Sequence, residues 1–262
     1  MEKTREIKPV DQLVFSDDFM FGAVMRDPEI CKGVIERLLQ IKIDHIEYPE
    51  LQKAISPFYS KKGVRLDVYV ADSDRVFDVE CQSYDISNIG KRTRYYQSMI
   101  DIDSLMKGAD YSELKESYVI FLCLNDPFKA GLPVYSFTRT CNENKDVSLG
   151  DQTHHVIYNC SAADKEENSD LKEFLEFVKS NKAESDFTRE IANMVQTKKF
   201  EQSFVNEYLA WNLHDQDVEK RTREDEKIET ALRMQAKGFS VDMIAELTNL
   251  TIETIKNLLA KK

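Results

Sequence analysis

The sequence predicts an α/β fold, a mixed β-sheet flanked by helices with a helical C-terminal extension. Three observations support this. Residues 63–82 alternate like a strand pair, Tyr118–Leu124 is a continuous apolar run typical of a strand buried on both faces, and the pattern from about residue 169 onward is helical. With 42% hydrophobic and 10% aromatic residues, the 262-residue chain can bury a core, which excludes disorder as a description of the whole chain.

Residues 13–40 predict two helices. Phe19, Met20, Ala23 and Val24 form an apolar stripe at helical spacing. Pro28 begins the second helix, since proline is favoured at the first helical position. The mixed segment 41–55 gives no clear pattern.

The next element is a β-hairpin with acids on one face. In Gly63–Val70 and Val76–Gln82, apolar residues alternate with polar ones on either side of a short turn. A symmetric turn places Asp67 directly opposite Glu80, where cross-strand Cβ atoms are about 4.5–5.5 Å apart. Gln82 shares this face because side chains alternate with a period of two. Two carboxylates and an amide therefore converge on one patch.

This patch is a candidate divalent-metal site. Mg²⁺ (or Mn²⁺) prefers oxygen ligands, which Asp67, Glu80 and the backbone carbonyl of Cys81 could supply. A metal held there can polarise a phosphodiester and activate a water that Gln82 could orient. The alternative is a solvated acidic face with no chemistry, and Asp78 on the same face complicates the assignment.

A helix is predicted from Asn88 to Met106, after the hairpin. Arg92, Tyr95 and Tyr96 share one side of it. Arg92 could bind phosphate or support the acidic patch, and we favour the supporting role. Tyr95 and Tyr96 are predicted mainly to pack, although either could contact DNA.

The remaining pattern defines the domain organisation. Short strands are predicted near residues 134–139 and 154–159. We predict three segments: the α/β domain, a charged helical linker and a helix-turn-helix-like segment, with bounds 1–215, 216–229 and 230–262.

The C-terminal segment predicts two short helices, with Ser240 and Thr251 as their N-caps. Such a pair can place its second helix, which carries Lys256, in a DNA major groove. A helical hairpin that packs on protein is the alternative.

Charge and cysteine content limit the partners and the compartment. A net charge of −11 disfavours non-specific binding to nucleic acid, so any DNA contact must come from local basic patches. The five cysteines are scattered, as expected in a reducing compartment. With no apolar run long enough for a membrane span and no signal peptide, we expect a soluble, cytoplasmic protein.

Several motifs occur in one order: DDFMF, GVRLDVYVAD, VFDVECQ, KRTRYYQSMID, KGADYSEL and VIFLCLNDPF. Together, from Phe15 to Asn159, they resemble the PD-(D/E)XK nuclease superfamily, and more narrowly its recombination-promoting nuclease and transposase (Rpn-type) family. The resemblance implies a restriction-endonuclease-like core and metal-dependent DNA cleavage. By motif match, Asp67 is the first acid, Glu80 is the second, and Gln82 stands where the superfamily usually has lysine. Asp18 matches an acid that could add to the metal site, although it could equally be a helix-dipole partner.

Two functions follow as the main hypotheses, beside a pure interaction scaffold for which the helical C-terminal third offers surface. The first is a Mg²⁺-dependent DNA endonuclease that promotes recombination or transposon-like mobility, and double-strand cleavage by one site per chain would favour a homodimer. The alternative is a catalytically impaired protein with a nuclease fold, which binds DNA or has a regulatory role.

Overall fold

The computed structural model describes residues 7–46, 50–55, 64–85 and 87–260, so Gly63, the predicted start of the first hairpin strand, lies outside it. The chain divides into two compact units, one comprising Pro9–Phe204 and the other built mainly from Val205–Lys262. The predicted domain boundary after residue 215 stays a prediction.

A mixed six-stranded sheet forms the centre of the first unit. The strands are β1 (Glu50–Ile55), β2 (Val64–Ala71), β3 (Arg75–Gln82), β4 (Glu116–Cys123), β5 (Val134–Phe137) and β6 (Thr153–Asn159). Their order in the sheet is β1-β2-β3-β4-β6-β5. Neighbours among β1, β2 and β3 are antiparallel, β4 and β6 run parallel to β3, and β5 is antiparallel to β6. This confirms the predicted fold class.

Five helices accompany the sheet. The second begins at Pro28 as predicted, and Asp27 caps it by accepting hydrogen bonds from the N–H groups of Glu29 and Ile30. The helices are α1 (Asp18–Met25), α2 (Pro28–Leu39), α3 (Ile89–Ser104), α4 (Ser169–Ser180) and α5 (Asp186–Phe200).

Helices cover both faces of the sheet at β3. The Cys81 thiol contacts the carbonyl of Ser16, just before α1, at 3.6 Å. The preceding residue, Glu80, instead meets Arg92 of α3. Because consecutive strand residues point to opposite faces, α1 and α3 lie on opposite sides of β3.

The hairpin β2–β3 is buried on both faces, whereas its alternating pattern predicts one polar, solvated face. Within β2 only Arg65 is exposed, and Asp67 and Tyr69 are buried. Every residue of β3 after Arg75 is buried, including Asp78 and Glu80. The solvated-face alternative is therefore wrong, because α3 covers the side of the hairpin that carries the acids.

Helix α6 (Gln202–Ala236) belongs to the second unit from Val205 onward, together with α7 (Val241–Thr248) and α8 (Ile252–Ala260). The predicted linker 216–229 lies within α6. Ser240 accepts a hydrogen bond from the Met243 N–H, as its predicted capping role requires. The unit has a small core of Ala231, Ile244 and Ile255. In the described part of the chain, no helix combines the length and apolarity needed to cross a bilayer.

Candidate active site

The centre of the site is a pair of carboxylates held between two strands. The β2–β3 register pairs Val70 with Phe77 and Val68 with Val79, as the symmetric turn predicts. One residue before Val68, the Asp67 N–H donates to Glu80 Oε1 at 2.7 Å. The Cys81 N–H donates to Asp67 Oδ2 at 3.3 Å. Side-chain oxygens thus replace the backbone acceptors of a regular ladder, and this fixes the two acids side by side.

Both acids are buried, with unequal access to solvent. Asp67 is 8% exposed, and Glu80 is fully buried. Burial raises the pKa of Asp67 well above its usual value, and the carboxylates of Glu80 and Asp18 raise it further. The pKa of Glu80 is likewise raised, first by burial and then by Asp78. A bound cation would stabilise the charged forms of these poorly solvated carboxyl groups.

Arg92 supplies positive charge beside these acids. Its guanidinium donates to Glu80 Oε2 at 3.1 Å and to Gln82 Oε1 at 3.2 Å. It also donates to the Tyr96 hydroxyl, at 2.7 Å from one nitrogen. The aromatic rings of Tyr96 and Phe121 lie beneath the guanidinium, with centroids at 5.1 and 5.5 Å. Helix α3 therefore holds Arg92 in a fixed position that joins Glu80 to Gln82.

Asp78 is a further acid next to this pair. It is fully buried, and neither of its carboxyl oxygens has a hydrogen-bond partner among the described residues. Burial raises its pKa well above the usual value, and Asp67 adds to the effect. A buried carboxyl group without a partner is costly in its charged form, so burial favours the neutral form of Asp78.

A cavity of about 740 Å³ opens over the acid pair. Asp67, Cys81 and Gln82 line it, whereas Glu80 does not. Asp18, at the start of α1, also lines the cavity, and its Oδ2 lies 3.6 Å from a guanidinium nitrogen of Arg65. Access to the site is therefore through Asp67.

The structure brings most of the sequence-predicted residues together. Asp67, Gln82, Arg92 and Tyr96 line one cavity, with Glu80 directly behind. Lys256 is an exposed residue of α8 and belongs to the second compact unit.

Tyr95 and Tyr96 differ in solvent exposure, which their spacing on the helix did not predict. Tyr96 is buried against Arg92, whereas Tyr95 is 37% exposed, so a packing role for Tyr95 stays a prediction. Three residues to which the sequence assigned no role also line the cavity: Tyr84, Lys91 and Arg94. Tyr84 continues the side-chain alternation of Glu80 and Gln82, a signal that could have drawn attention to it.

The donor set fits a hard divalent cation. Mg²⁺ is usually bound by one or two carboxylates, with water and substrate phosphate completing its octahedron. Asp67 and Glu80 supply carboxylates, although both oxygens of Glu80 already accept hydrogen bonds. In the part of the chain that the structure describes, no three His, Cys, Asp or Glu side chains form a metal site by themselves. A cation at this position would therefore depend on water or substrate oxygens as well.

The fold and the site together define a nuclease-like α/β protein, with paired acids on adjacent strands under a cavity. The family model described as PD-(D/E)XK nuclease family transposase matches residues 15–235, and the chain belongs to that family. No curated protein and no solved structure matches the chain significantly.

Proposed function

We propose that this protein is a Mg²⁺- or Mn²⁺-dependent DNA endonuclease, with Asp67, Glu80 and Gln82 at its catalytic centre. The observation that carries the proposal is the interlocked pair of Asp67 and Glu80, which meets the cavity through Asp67. The family assignment supports hydrolysis of phosphodiester bonds as the reaction and recombination or transposon-like mobility as its setting.

In this proposal the carboxylates of Asp67 and Glu80 hold the cation, with the backbone carbonyl of Cys81 as a further ligand and Asp18 as an added acid. The bound cation would polarise the phosphodiester and lower the pKa of a water molecule. Asp67 is the point of entry, because it faces the cavity. The raised pKa of Asp67 supports this role, since a cation would stabilise the charged carboxylate that burial disfavours.

Arg92 supports the site by supplying a charge that Gln82 lacks. The Gln82 amide can orient water or phosphate, but it is neutral. The guanidinium of Arg92 donates to Gln82 Oε1 and lines the same cavity, so it can contribute positive charge to a phosphate bound there. Tyr96 keeps Arg92 in place through its hydroxyl.

The second unit is proposed as an additional DNA contact. Helices α7 and α8 have the length and capping of a helix-turn-helix pair, and Lys256 is exposed on α8, where it could meet phosphate. Two copies of the chain would supply the two sites that double-strand cleavage needs, so we propose a homodimer. The five cysteines are free thiols, which fits a cytoplasmic setting.

Nicking of supercoiled plasmid tests the proposal. The full chain is assayed with Mg²⁺, with Mn²⁺ and with EDTA, beside Asp67→Asn and the matched control Asp74→Asn. Asp74 lies in the turn of the same hairpin and is exposed, so its substitution should leave nicking unchanged. Asp67→Asn keeps the side-chain shape but removes the charge, and we expect a loss of roughly 100-fold or more.

Equal nicking by the wild type and Asp67→Asn, with both proteins folded by thermal melting, would remove Asp67 from the catalytic centre. Absence of metal-dependent nicking in the wild type, with DNA binding that Asp67→Asn leaves unchanged, would instead favour the catalytically impaired alternative. The engagement of both Glu80 oxygens is the observation that favours that alternative.

A further inference from the structure

Two tyrosines at the cavity are partly exposed to solvent. Tyr84, just after β3, is 65% exposed, and Tyr95 on α3 is 37% exposed. Both line the cavity over Asp67. Arg92, which forms an ion pair with Glu80, lines the same cavity as the two tyrosines. Exposed aromatic rings along a nucleic-acid path are stacking platforms for bases.

The acids themselves are recessed. Glu80 is fully buried, and Asp67 and Gln82 are 8% and 5% exposed, so a phosphodiester must enter the cavity to reach them. A base-paired duplex is rigid, and its stacked bases keep each phosphate in a fixed helical path. An unpaired strand can bend its backbone inward and turn its bases aside, as occurs in enzymes that act on extruded nucleotides. The volume of about 740 Å³ is in the range of small-ligand pockets, and it has room for a nucleotide but not for a duplex.

Positive charge lies beside the two rings. Lys91 and Arg94 are exposed, line the same cavity and are three residues apart on α3, so their side chains are neighbours on the helix surface. Because the whole chain carries a net charge of −11, attraction for phosphate has to be local. A strip of two cations with two exposed aromatic rings matches the backbone and the bases of a single strand.

We propose that the cavity binds an unpaired segment of a DNA strand, whose bases stack on Tyr84 and Tyr95 while its phosphates contact Lys91 and Arg94. This inference rests on the proposed nuclease function and adds the substrate class. The scissile substrate is then DNA with a single-stranded stretch, such as a flap, a gap or an overhang, rather than intact duplex.

Fluorescence anisotropy of labelled oligonucleotides tests this, with the full chain in EDTA so that no cleavage occurs. The probes are a single strand, a blunt hairpin duplex of equal nucleotide number, and the same duplex with a single-stranded overhang. We expect the single strand and the overhang to bind at least about 10-fold more tightly than the blunt duplex. Tyr84→Ala and Tyr95→Ala should each weaken single-strand binding roughly 5- to 150-fold, the range that corresponds to the loss of one base–aromatic stack.

Matched variants separate stacking from other effects. Tyr84→Phe keeps the ring and should retain single-strand affinity, and Tyr111→Ala removes an exposed tyrosine outside the cavity and should change nothing. Lys91→Ala should weaken binding and reduce its salt dependence, because one phosphate contact is lost, whereas Tyr84→Ala should leave the salt dependence unchanged.

Equal affinity for single strand and blunt duplex, or equal loss on both when Tyr84 and Tyr95 are replaced, would overturn the inference. This outcome is distinguishable from failure of the proposed function. Metal-dependent nicking of duplex with no single-strand preference would leave the nuclease standing and refute the substrate class. Tyrosine-dependent single-strand binding without any metal-dependent cleavage would refute the nuclease and leave the binding site standing.

Discussion

Removal of the Arg92 charge should destabilise the fold through Glu80. Glu80 is fully buried, and among the described residues its cationic hydrogen-bond partner is Arg92. Breaking a buried ion pair from one side leaves the remaining carboxyl group either charged without a partner or forced to take up a proton, and it costs about 3–5 kcal/mol. Because the Arg92 side chain is 28% exposed, we expect the lower end, about 3 kcal/mol, for Arg92→Met, which keeps the stem packed over Tyr96 and Phe121.

Urea denaturation at pH 8 measures this cost, and a double-mutant cycle assigns its cause. If the cost comes from the unpaired Glu80 carboxylate, adding Glu80→Gln to Arg92→Met should recover most of the lost stability. Arg94→Met is the control on the same helix, and its exposed position predicts a change within about 0.5 kcal/mol. A cost below about 1 kcal/mol for Arg92→Met, or no recovery in the double variant, would refute the reasoning.

Three further substitutions test other parts of the fold. Glu173 accepts hydrogen bonds from Ser185 and Thr188 at the start of α5, and although burial acts to raise its pKa, these bonds hold the pKa below its usual value. Glu173→Gln should therefore lower the free energy of unfolding by about 2 kcal/mol above pH 5. The loss should shrink in more acid solution, because the wild-type carboxylate is then protonated too. Urea titrations over a pH series measure this, and a loss that does not change with pH would contradict it. Gly33→Ala should lower the free energy of unfolding by about 1–3 kcal/mol, because a Cβ at this position would lie 2.6 Å from the Phe187 ring. The melting temperature should fall accordingly, and an unchanged melting curve would exclude this contact. Ser240→Ala should cost about 1 kcal/mol in the second unit by removing the α7 cap, seen as faster amide hydrogen exchange in α7 with the first unit unchanged.

The acid pair illustrates how much of the site sequence could predict. Hairpin register depends on a short turn and a period of two, both local properties, so the approach of Asp67 to Glu80 could be worked out from residue numbers alone. The exposure of those acids could not be predicted, because the alternating pattern of β2 fits a strand with one wet face. Helix α3 covers that face, and its position depends on contacts between residues distant in sequence.

The same division applies to helix α3. Its sequence places Arg92, Tyr95 and Tyr96 on one side, but the rotation of the helix against the sheet decides that Arg92 reaches Glu80 and Gln82, that Tyr96 is buried, and that Tyr95 faces the cavity.

The sequence by itself determined the fold class, the hairpin with its paired acids and the cap at Ser240. Each of these follows from short-range patterns of hydrophobicity, turns and hydrogen-bonding side chains. Only the tertiary structure decided which acids are buried, which cation pairs with them and which rings line the cavity. Those features depend on how α3, in the crossover connection between the parallel strands β3 and β4, packs against the sheet. The packing energy is shared among many residues that are distant in sequence, so no local pattern predicts it.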